Sequence, residues 1–257
     1  MTMTRVCLIT GGSRGIGRET ARLAAASGWD VAVNYRERSE AADVAVAAAH
    51  ALGRRAMAVR GDVANEADVI DMFRAAERQL GPITGLVNSA GVSFASRVDA
   101  LKTADIQRML AVNVTGLMLC CREAAKRMST ANGGKGGAIV NVSSMAATIG
   151  GRPGASTYAA SKGAVDVFTL GFAKEVAAEG IRVNAVRPGI TDTEMIAAVR
   201  AGSRRAEIEA SIPMQRYATP TEVAETIVWL LSDKASFVSG AHVNVGGGGF
   251  HVGSPSG

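Results

Sequence analysis

Tyr158 and Lys162 are the side chains of this sequence best suited to proton transfer, since they stand four residues apart. In a helix, residues with this spacing lie on one face. A phenol is a poor acid or base at neutral pH because its ordinary pKa is far higher, and a neighbouring ammonium lowers that pKa by favouring the phenolate. The pair therefore predicts a general acid and base in which Lys162 lowers the pKa of Tyr158. The alternative is that Tyr158 is an aromatic residue of the core.

Two serines follow a predicted strand upstream of this pair. The strand Ala138–Val142 ends directly before Ser143 and Ser144. Ligands of open parallel sheets bind outside the carboxyl ends of the strands. The sequence therefore predicts that a serine hydroxyl and the phenol of Tyr158 share one crevice.

A glycine-rich turn connects the first predicted strand, Val6–Thr10, to the first predicted helix, Ile16–Ser27. Its residues are Thr10, Gly11, Gly12, Ser13, Arg14, Gly15, Ile16 and Gly17. Glycine lets the backbone approach a ligand closely, and the start of a helix offers unpaired N–H groups and the positive end of its dipole to a phosphate. The turn therefore predicts a dinucleotide site.

Other motifs compete for this turn. The Gly-x-Gly-x-x-Gly pattern would need a glycine where Thr20 stands, and the phosphate-loop pattern lacks its Gly-Lys-Ser/Thr. The turn also matches the Gly-x-Ser-x-Gly nucleophile elbow of hydrolases. That elbow would lie on the first strand and would depend on His242 or His251, so we favour the dinucleotide site.

The end of the second predicted strand indicates which dinucleotide binds. An acidic residue there selects NAD, whereas a basic residue accommodates the 2′-phosphate of NADP. The strand ends in Asn34, Tyr35 and Arg36, without an acid, and Arg14 lies in the glycine-rich turn. Two guanidiniums directed at one dianion predict NADP(H), with NAD(H) as the alternative cofactor. In that alternative, Arg36 and Arg38 are solvated loop cations.

Short apolar strands alternate with alanine-rich helices along the chain, which predicts parallel βαβ units. The predicted strands are Val6–Thr10, Val31–Tyr35, Ala56–Arg60, Leu86–Asn88, Ala138–Val142, Arg182–Val186 and Ala241–Val245. The predicted helices are Ile16–Ser27, Glu40–Leu52, Glu66–Leu80, Ala104–Ser129, Tyr158–Glu179 and Thr221–Leu231. The expected fold class is α/β, a doubly wound Rossmann-type domain whose seven-stranded, mostly parallel sheet carries helices on both faces.

No linker rich in proline, glycine or serine divides the chain, so we expect a single domain over residues 1–257. The segment Ile190–Tyr217 interrupts the alternation and is expected to be an insertion that covers the substrate. The candidates for lining the substrate pocket are Met145, Arg152, Met195 and Tyr217, and the alternative for each is a place in the core or on the surface.

The composition excludes several classes of protein. A hydrophobic fraction of 47% with 20% charged residues is typical of globular chains and not of disordered ones. The net charge of +5 is spread without basic runs, which argues against nucleic-acid binding. Neither a long apolar run nor a signal peptide is present, so we expect a cytoplasmic protein without a membrane partner. The three cysteines fit neither a disulfide framework nor a metal site.

Taken together, the motifs resemble the short-chain dehydrogenase/reductase family in its common short form, with members such as 3-oxoacyl-ACP reductases and glucose 1-dehydrogenases. The resemblance runs from about residue 4 to residue 249. It is carried by Thr10 to Gly17, Asp62 with Val63, Asn88 to Gly91, Asn113, Ser144, Tyr158, Lys162, Asn184, and Pro188 with Gly189.

The resemblance implies a role for each matching residue. The catalytic residues would be Asn113, Ser144, Tyr158 and Lys162, with Asn113 anchoring a water. The cofactor would be held by Gly11, Ser13, Arg14, Gly15, Ile16, Gly17, Asn34, Tyr35, Arg36, Asp62, Val63, Asn88, Ala90, Gly91, Tyr158, Lys162, Pro188, Gly189, Thr191 and Thr193. Asn113 could instead simply bond to backbone within its helix.

The sequence departs from the family pattern at a few positions. Ser89 replaces an asparagine, Thr191 replaces an aliphatic residue, and Gly246 replaces a common aspartate. The gap between the serine and Tyr158 is one residue longer than usual, so Ser143 is an alternative to Ser144. None of these departures removes a reacting group.

The function expected from the residues and the resemblance is NADP(H)-dependent oxidoreduction of a carbonyl or secondary alcohol. The alternative is a dinucleotide-binding regulator without turnover, since fold does not dictate activity. The resemblance also implies a small-molecule substrate and a homotetramer built through the helices Ala104–Ser129 and Tyr158–Glu179 and through the C-terminal segment. The identity of the substrate is left open.

Overall fold

Seven parallel strands form the central sheet of the computed structural model, which describes residues 5–196 and 204–249. They are β1 (Arg5–Thr10), β2 (Trp29–Tyr35), β3 (Ala56–Arg60), β4 (Ile83–Asn88), β5 (Gly137–Val142), β6 (Ile181–Pro188) and β7 (His242–Val245). Their order across the sheet is β3-β2-β1-β4-β5-β6-β7. The predicted doubly wound sheet is confirmed, and the direction of winding reverses between β1 and β4, where such folds bind ligands.

The helices lie between the strands in chain order. They are α1 (Gly15–Ala26), α2 (Ser39–Ala51), α3 (Glu66–Leu80), α4 (Thr103–Leu110), α5 (Leu117–Met128), α6 (Ala146–Ile149), α7 (Ser156–Val176), α8 (Arg204–Ala210) and α9 (Pro220–Leu231). The single helix predicted over Ala104–Ser129 is interrupted by a π-helical segment, Ala111–Gly116, between α4 and α5. Such segments are rare and are often found at functional sites.

Both faces of the sheet are buried, and alternate residues of a strand enter different cores. Leu8 and Leu86 belong to the core that contains Phe73 of α3. Ile9 and Val87 belong to the opposite core, which α1, α2 and α9 cover. Burial on both faces explains why the strands read as continuous apolar runs rather than as alternating patterns.

The insertion begins where β6 ends and returns to the sheet before α9. Thr191 and Ala218 form a bridge at its base. Ile208, Ile212 and Tyr217 form a small core within it, so the insertion has its own packing. Within residues 5–196 and 204–249, no helix has both the length and the apolar character needed to cross a membrane.

Candidate active site

Tyr158 and Lys162 lie on consecutive turns of α7, as their spacing predicted. The Nζ atom of Lys162 is 5.8 Å from the centre of the Tyr158 ring. The same Nζ donates a hydrogen bond of 2.7 Å to the carbonyl of Val142, the last residue of β5. Only 5% of Lys162 is exposed. The carboxyl end of β5 thus positions the ammonium beneath the phenol.

Burial dominates the pKa values of both side chains. It raises the pKa of Tyr158, and a hydrogen bond from Ser144 lowers it by less. Burial also lowers the pKa of Lys162 to about 8, against the opposing effect of Asp166. Lys162 has no part in this shift of the Tyr158 pKa, so a lowering by the ammonium stays a prediction for the protein with its nicotinamide bound. The geometry holds a neutral phenol, which is a proton donor.

The two serines after β5 face different partners. The Oγ of Ser144 accepts a hydrogen bond from the backbone N–H of Ala146 at 3.1 Å and lies beside the hydroxyl of Tyr158. Ser143 is buried, and its Oγ donates to the carbonyl of Lys162 at 3.3 Å. Ser144 is thus the serine that shares the crevice with the phenol.

Asn113 lies in the π-helical segment, and its side-chain amide is bound to the loop that follows β4. Its Oδ1 accepts from the N–H of Val92 at 2.9 Å, and its Nδ2 donates to the carbonyl of Val92 at 2.9 Å. The Nδ2 also donates to Ser161 Oγ at 3.1 Å. Both amide hydrogens are therefore used, so the side chain ties this loop to α7 and has no donor left for a water.

Gly91 lies between these groups. A Cβ placed on it would be 3.5 Å from Asn113 Oδ1 and 3.8 Å from Lys162 Nζ. The neighbouring Ala90 donates its backbone N–H to Thr10 Oγ1 at 3.2 Å. This contact brings the end of β1 and the loop after β4 together at the reversal of the sheet.

The glycine-rich turn leaves the start of α1 open to a ligand. In the described part of the chain, no side chain caps α1 and its first turn holds no acidic residue. Gly11 and Gly15 have positive φ angles of 62° and 51°. A Cβ on Gly11 would lie 2.8 Å from Ala90 Cα, and one on Gly17 would collide with the carbonyl of Gly11. Uncapped N–H groups and a turn that excludes side chains fit the phosphates of a dinucleotide.

Two further residues of the glycine-rich turn and one residue of the insertion lie around the start of α1. Ser13 is buried, Ile16 is partly buried, and Thr193 of the insertion lies above Gly15, since a Cβ there would be 3.2 Å from Thr193 Cγ2. The start of the insertion therefore covers the glycine-rich turn.

Asn34 and Asn88 lie behind the crevice and brace the sheet. Asn34 is buried, its Oδ1 accepts from the N–H of Gly11 at 3.2 Å, and its Nδ2 donates to the carbonyl of Gly61 at 3.0 Å. Asn88 is also buried, and its Nδ2 donates to Asn141 Oδ1 at 2.9 Å. The side-chain amides of Asn34 and Asn88 are thus engaged within the protein, and contact of these two residues with a cofactor stays a prediction.

The residues expected near the adenine are also partly committed to the protein. Asp62 Oδ1 accepts from the N–H of Ala64 at 3.0 Å, and its Oδ2 pairs with Arg108 at 2.8 Å. Val63 is buried against the π-helical segment, where a Cβ on Gly116 would lie 2.7 Å from its carbonyl oxygen. Tyr35, at the end of β2, is partly buried.

The cations near the turn pair differently from the prediction. Arg36 pairs with Glu37 at 2.5 Å. Arg38, and not Arg36, converges with Arg14 on one carboxylate, that of Glu194 in the insertion. Sequence reasoning missed Glu194, because nothing in the local pattern connects it to arginines so distant along the chain.

The segment after β6 continues the crevice. The carbonyl of Pro188 accepts from the N–H of Met145 at 2.9 Å, and the N–H of Gly189 donates to the carbonyl of Val245 at 2.8 Å. Thr191 is buried, and its Oγ1 donates to the carbonyl of Gly189 at 3.2 Å. This hydroxyl is therefore used within the turn.

Two cavities adjoin the site. One of about 560 Å³ is lined by Met145, Gly189 and residues of the insertion, and another of about 590 Å³ is lined by Ser96, Arg152 and their neighbours. Met145 and Arg152 thus line cavities, and their contact with a substrate stays a prediction. Tyr217 instead packs in the core of the insertion, and Met195 is half-exposed.

Sequence reasoning also missed a buried carboxylate one turn beyond Lys162. Asp166 accepts from Arg187 Nε at 2.9 Å through Oδ2, and its Oδ1 lies 3.7 Å from Nε2 of His242. His242 Nε2 also lies 3.0 Å from the carbonyl of Asp166. The i, i+4 spacing from Lys162 was a signal for this residue, but its burial and its partners on β6 and β7 were not readable.

Comparison with known proteins places the chain among oxidoreductases. A family model described as Enoyl-(Acyl carrier protein) reductase matches residues 11–251. The chain is 49% identical over 244 residues to Uncharacterized oxidoreductase YgfF of Escherichia coli (strain K12), across 95% of this chain and 99% of that protein. It is 40% identical over 245 residues to a 3-oxoacyl-(acyl-carrier-protein) reductase of Synechocystis sp., across 95% of this chain and 96% of that protein.

The solved structures agree with these relatives. A short-chain dehydrogenase from Burkholderia cenocepacia J2315, in complex with NADP, aligns with a TM-score of 0.89 at 35% identity, across 96% of this chain and 97% of that chain.

Proposed function

The chain belongs to the short-chain dehydrogenase/reductase family, and from that premise we propose that it transfers hydride between NADP(H) and a carbonyl or secondary alcohol, with Tyr158 as general acid and base. The observation that carries this proposal is the convergence of Ser144, Tyr158 and Lys162 at the carboxyl end of β5. A dinucleotide-binding regulator without turnover would have no need of these three side chains together.

The proposed chemistry divides between the cofactor and the protein. When bound, the nicotinamide supplies or accepts the hydride. Tyr158 donates its proton to the carbonyl oxygen during reduction and takes a proton back during oxidation. The hydroxyl of Ser144 rotates to donate to the same oxygen as negative charge develops there.

Lys162 supports the phenolate that remains after proton donation. Its ammonium is one helical turn from Tyr158, and a positive charge at that distance favours the ionised phenol. Its bond to the Val142 carbonyl fixes its position and leaves two N–H groups, which the family resemblance directs to the nicotinamide ribose. Asp166 acts as a positioning residue, because its charge favours the protonated form of Lys162.

NADP(H) is the proposed preferred cofactor. The glycine-rich turn and the open start of α1 would hold the pyrophosphate. Arg14 and Arg38 already converge on an anionic group, so together they suit a 2′-phosphate. The NADP bound to the Burkholderia cenocepacia relative supports this choice.

We also propose that the protein assembles as a homotetramer. Large apolar side chains are exposed on the helices expected to pair, among them Leu110 on α4 and Val167 and Leu170 on α7. Exposed apolar surface of this kind is typical of contacts between subunits. Light scattering at working concentration tests the assembly, and a monomer would contradict it.

The activity is tested with purified protein, NADPH and a panel of carbonyl compounds that includes 3-oxoacyl thioesters, cyclic ketones and sugars. We expect NADPH to be consumed with at least one class. Tight NADPH binding without consumption on the whole panel would favour the regulator instead.

A further inference from the structure

Glu194 is a carboxylate that two guanidiniums of the candidate cofactor site share. Its Oε2 lies 2.7 Å from Nη1 of Arg38 and 3.3 Å from Nη1 of Arg14. Arg14 directly precedes α1, Arg38 directly precedes α2, and Glu194 lies in the insertion after β6. All three side chains are about half-exposed, so solvent and ligands can reach them.

The arrangement is that of an anion already bound where a 2′-phosphate is expected. Guanidinium groups bind carboxylate and phosphate through the same charge-assisted hydrogen bonds. The two anions cannot share the cations freely, because like charges repel. Arg36 is engaged with Glu37, so it offers no simple replacement for either cation.

We propose that Glu194 is a specificity-determining residue, whose carboxylate competes with the 2′-phosphate of NADP(H) for Arg14 and Arg38. Glu194 then weakens binding of NADP(H) and leaves binding of NAD(H), which lacks that phosphate, little changed. Glu194 thereby reduces the preference of the protein for NADP(H) over NAD(H). This inference rests on the proposed assignment of NADP(H) as the preferred cofactor.

A side-chain contact next to Glu194 holds the start of the insertion over the turn independently of the charge of Glu194. Thr193 packs on Gly15 without using the charge of Glu194. Removing the charge should therefore leave the start of the insertion over the turn, so that a change in affinity reports the carboxylate itself.

The test is the binding of NADPH and NADH to Glu194→Gln by fluorescence titration. Exposed ion pairs contribute modestly, so we expect the Kd for NADPH to fall about two- to five-fold while that for NADH stays unchanged. The matched control is Glu207→Gln, which removes the same charge from an exposed residue of α8 in the same insertion and should change neither Kd.

Three further measurements locate the effect. The first is calorimetry with 2′,5′-ADP and 5′-ADP, which lack the nicotinamide: compared with the wild type, Glu194→Gln should bind 2′,5′-ADP more tightly and 5′-ADP equally well. In an Arg38→Gln background, the effect of Glu194→Gln should become smaller, because only Arg14 is then left for the carboxylate and the 2′-phosphate to compete for. High salt should also reduce the effect of Glu194→Gln on NADPH binding, because salt screens the interactions between exposed charges.

Each result decides the proposal. Unchanged or weaker NADPH binding by Glu194→Gln overturns it. Equal tightening of NADPH and NADH also overturns it, because the carboxylate would then act on the pyrophosphate that both cofactors share. Failure of the proposed function has a different signature: no carbonyl compound would be reduced, yet the binding constants of both variants would remain measurable.

Discussion

The ammonium of Lys162 lies 5.8 Å from the centre of the Tyr158 ring but donates its hydrogen bond of 2.7 Å to the carbonyl of Val142. The lysine is thus held by the sheet and not by the phenol. Burial keeps the pKa of Tyr158 raised and that of Lys162 depressed to about 8. The protein alone therefore presents a neutral acid above a cation whose protonation is sensitive to pH.

Replacing Tyr158 with phenylalanine should remove the proton donor and keep the ring. We expect kcat to fall about 100- to 10,000-fold, the range of general acid catalysis, while the Kd for NADPH is unchanged. Steady-state kinetics and fluorescence titration measure the two quantities. Tyr217→Phe is the matched control, because the Tyr217 hydroxyl is buried without a hydrogen-bond partner among the described residues. Full activity in Tyr158→Phe would refute the assignment.

Replacing Lys162 with methionine should abolish activity and stabilise the fold at neutral pH. Burying the Lys162 ammonium shifts its pKa from 10.5 to about 8, which corresponds to roughly 3 kcal/mol of lost stability in the folded wild type. The methionine variant avoids this cost but loses the hydrogen bond to Val142, which reduces its gain in stability by about 1 to 2 kcal/mol. Because the folded-state pKa is the lower one, the wild type gains stability as pH rises from about 8 towards 10.5.

The advantage of Lys162→Met should therefore shrink over that interval. Urea denaturation at several pH values measures it. An advantage that grows with pH would contradict the depressed pKa.

Replacing Asp166 with asparagine should shift the pH dependence of the reaction. Asp166 raises the pKa of Lys162 against burial, so its loss lowers that pKa further. Arg187, left without its partner, acts in the same direction. We expect the alkaline limb of the kcat profile to move to lower pH. An unmoved limb with merely lower stability would show that Asp166 is structural only.

Replacing Arg38 should affect the cofactor more than replacing Arg36. Arg38 converges with Arg14, whereas Arg36 is paired with Glu37. Loss of a charge-assisted contact costs enough for Arg38→Gln to weaken NADPH binding about ten-fold, with NADH unaffected. Arg36→Gln serves as its matched comparison. The reverse ranking in titrations would restore Arg36 as the principal partner of the 2′-phosphate.

Local patterns were sufficient to predict the elements and part of the site. Seven strands were predicted and seven form the sheet, because alternating apolar strands and helices follow from neighbouring residues. The spacing of Tyr158 and Lys162 fixed their common face of α7, since four residues make about one turn. The glycine-rich turn was equally readable, because its four glycines fall within seven residues where a strand passes into a helix.

Other features depended on residues distant along the chain. The π-helical segment at Asn113 interrupts a helix that periodicity predicted as continuous. Asn34 is buried, and its side chain connects Gly11 to Gly61. Neither its burial nor its partners could be read from the strand that contains it.

The sequence by itself therefore determined the sheet, the order of its motifs and the choice of residues proposed to react. Only the tertiary structure decided that Arg38 and Glu194, which are 156 residues apart, form an ion pair, and that burial rather than Lys162 governs the pKa of Tyr158. The physical reason is that secondary structure depends on neighbours in the chain, whereas desolvation and electrostatic pairing depend on neighbours in space.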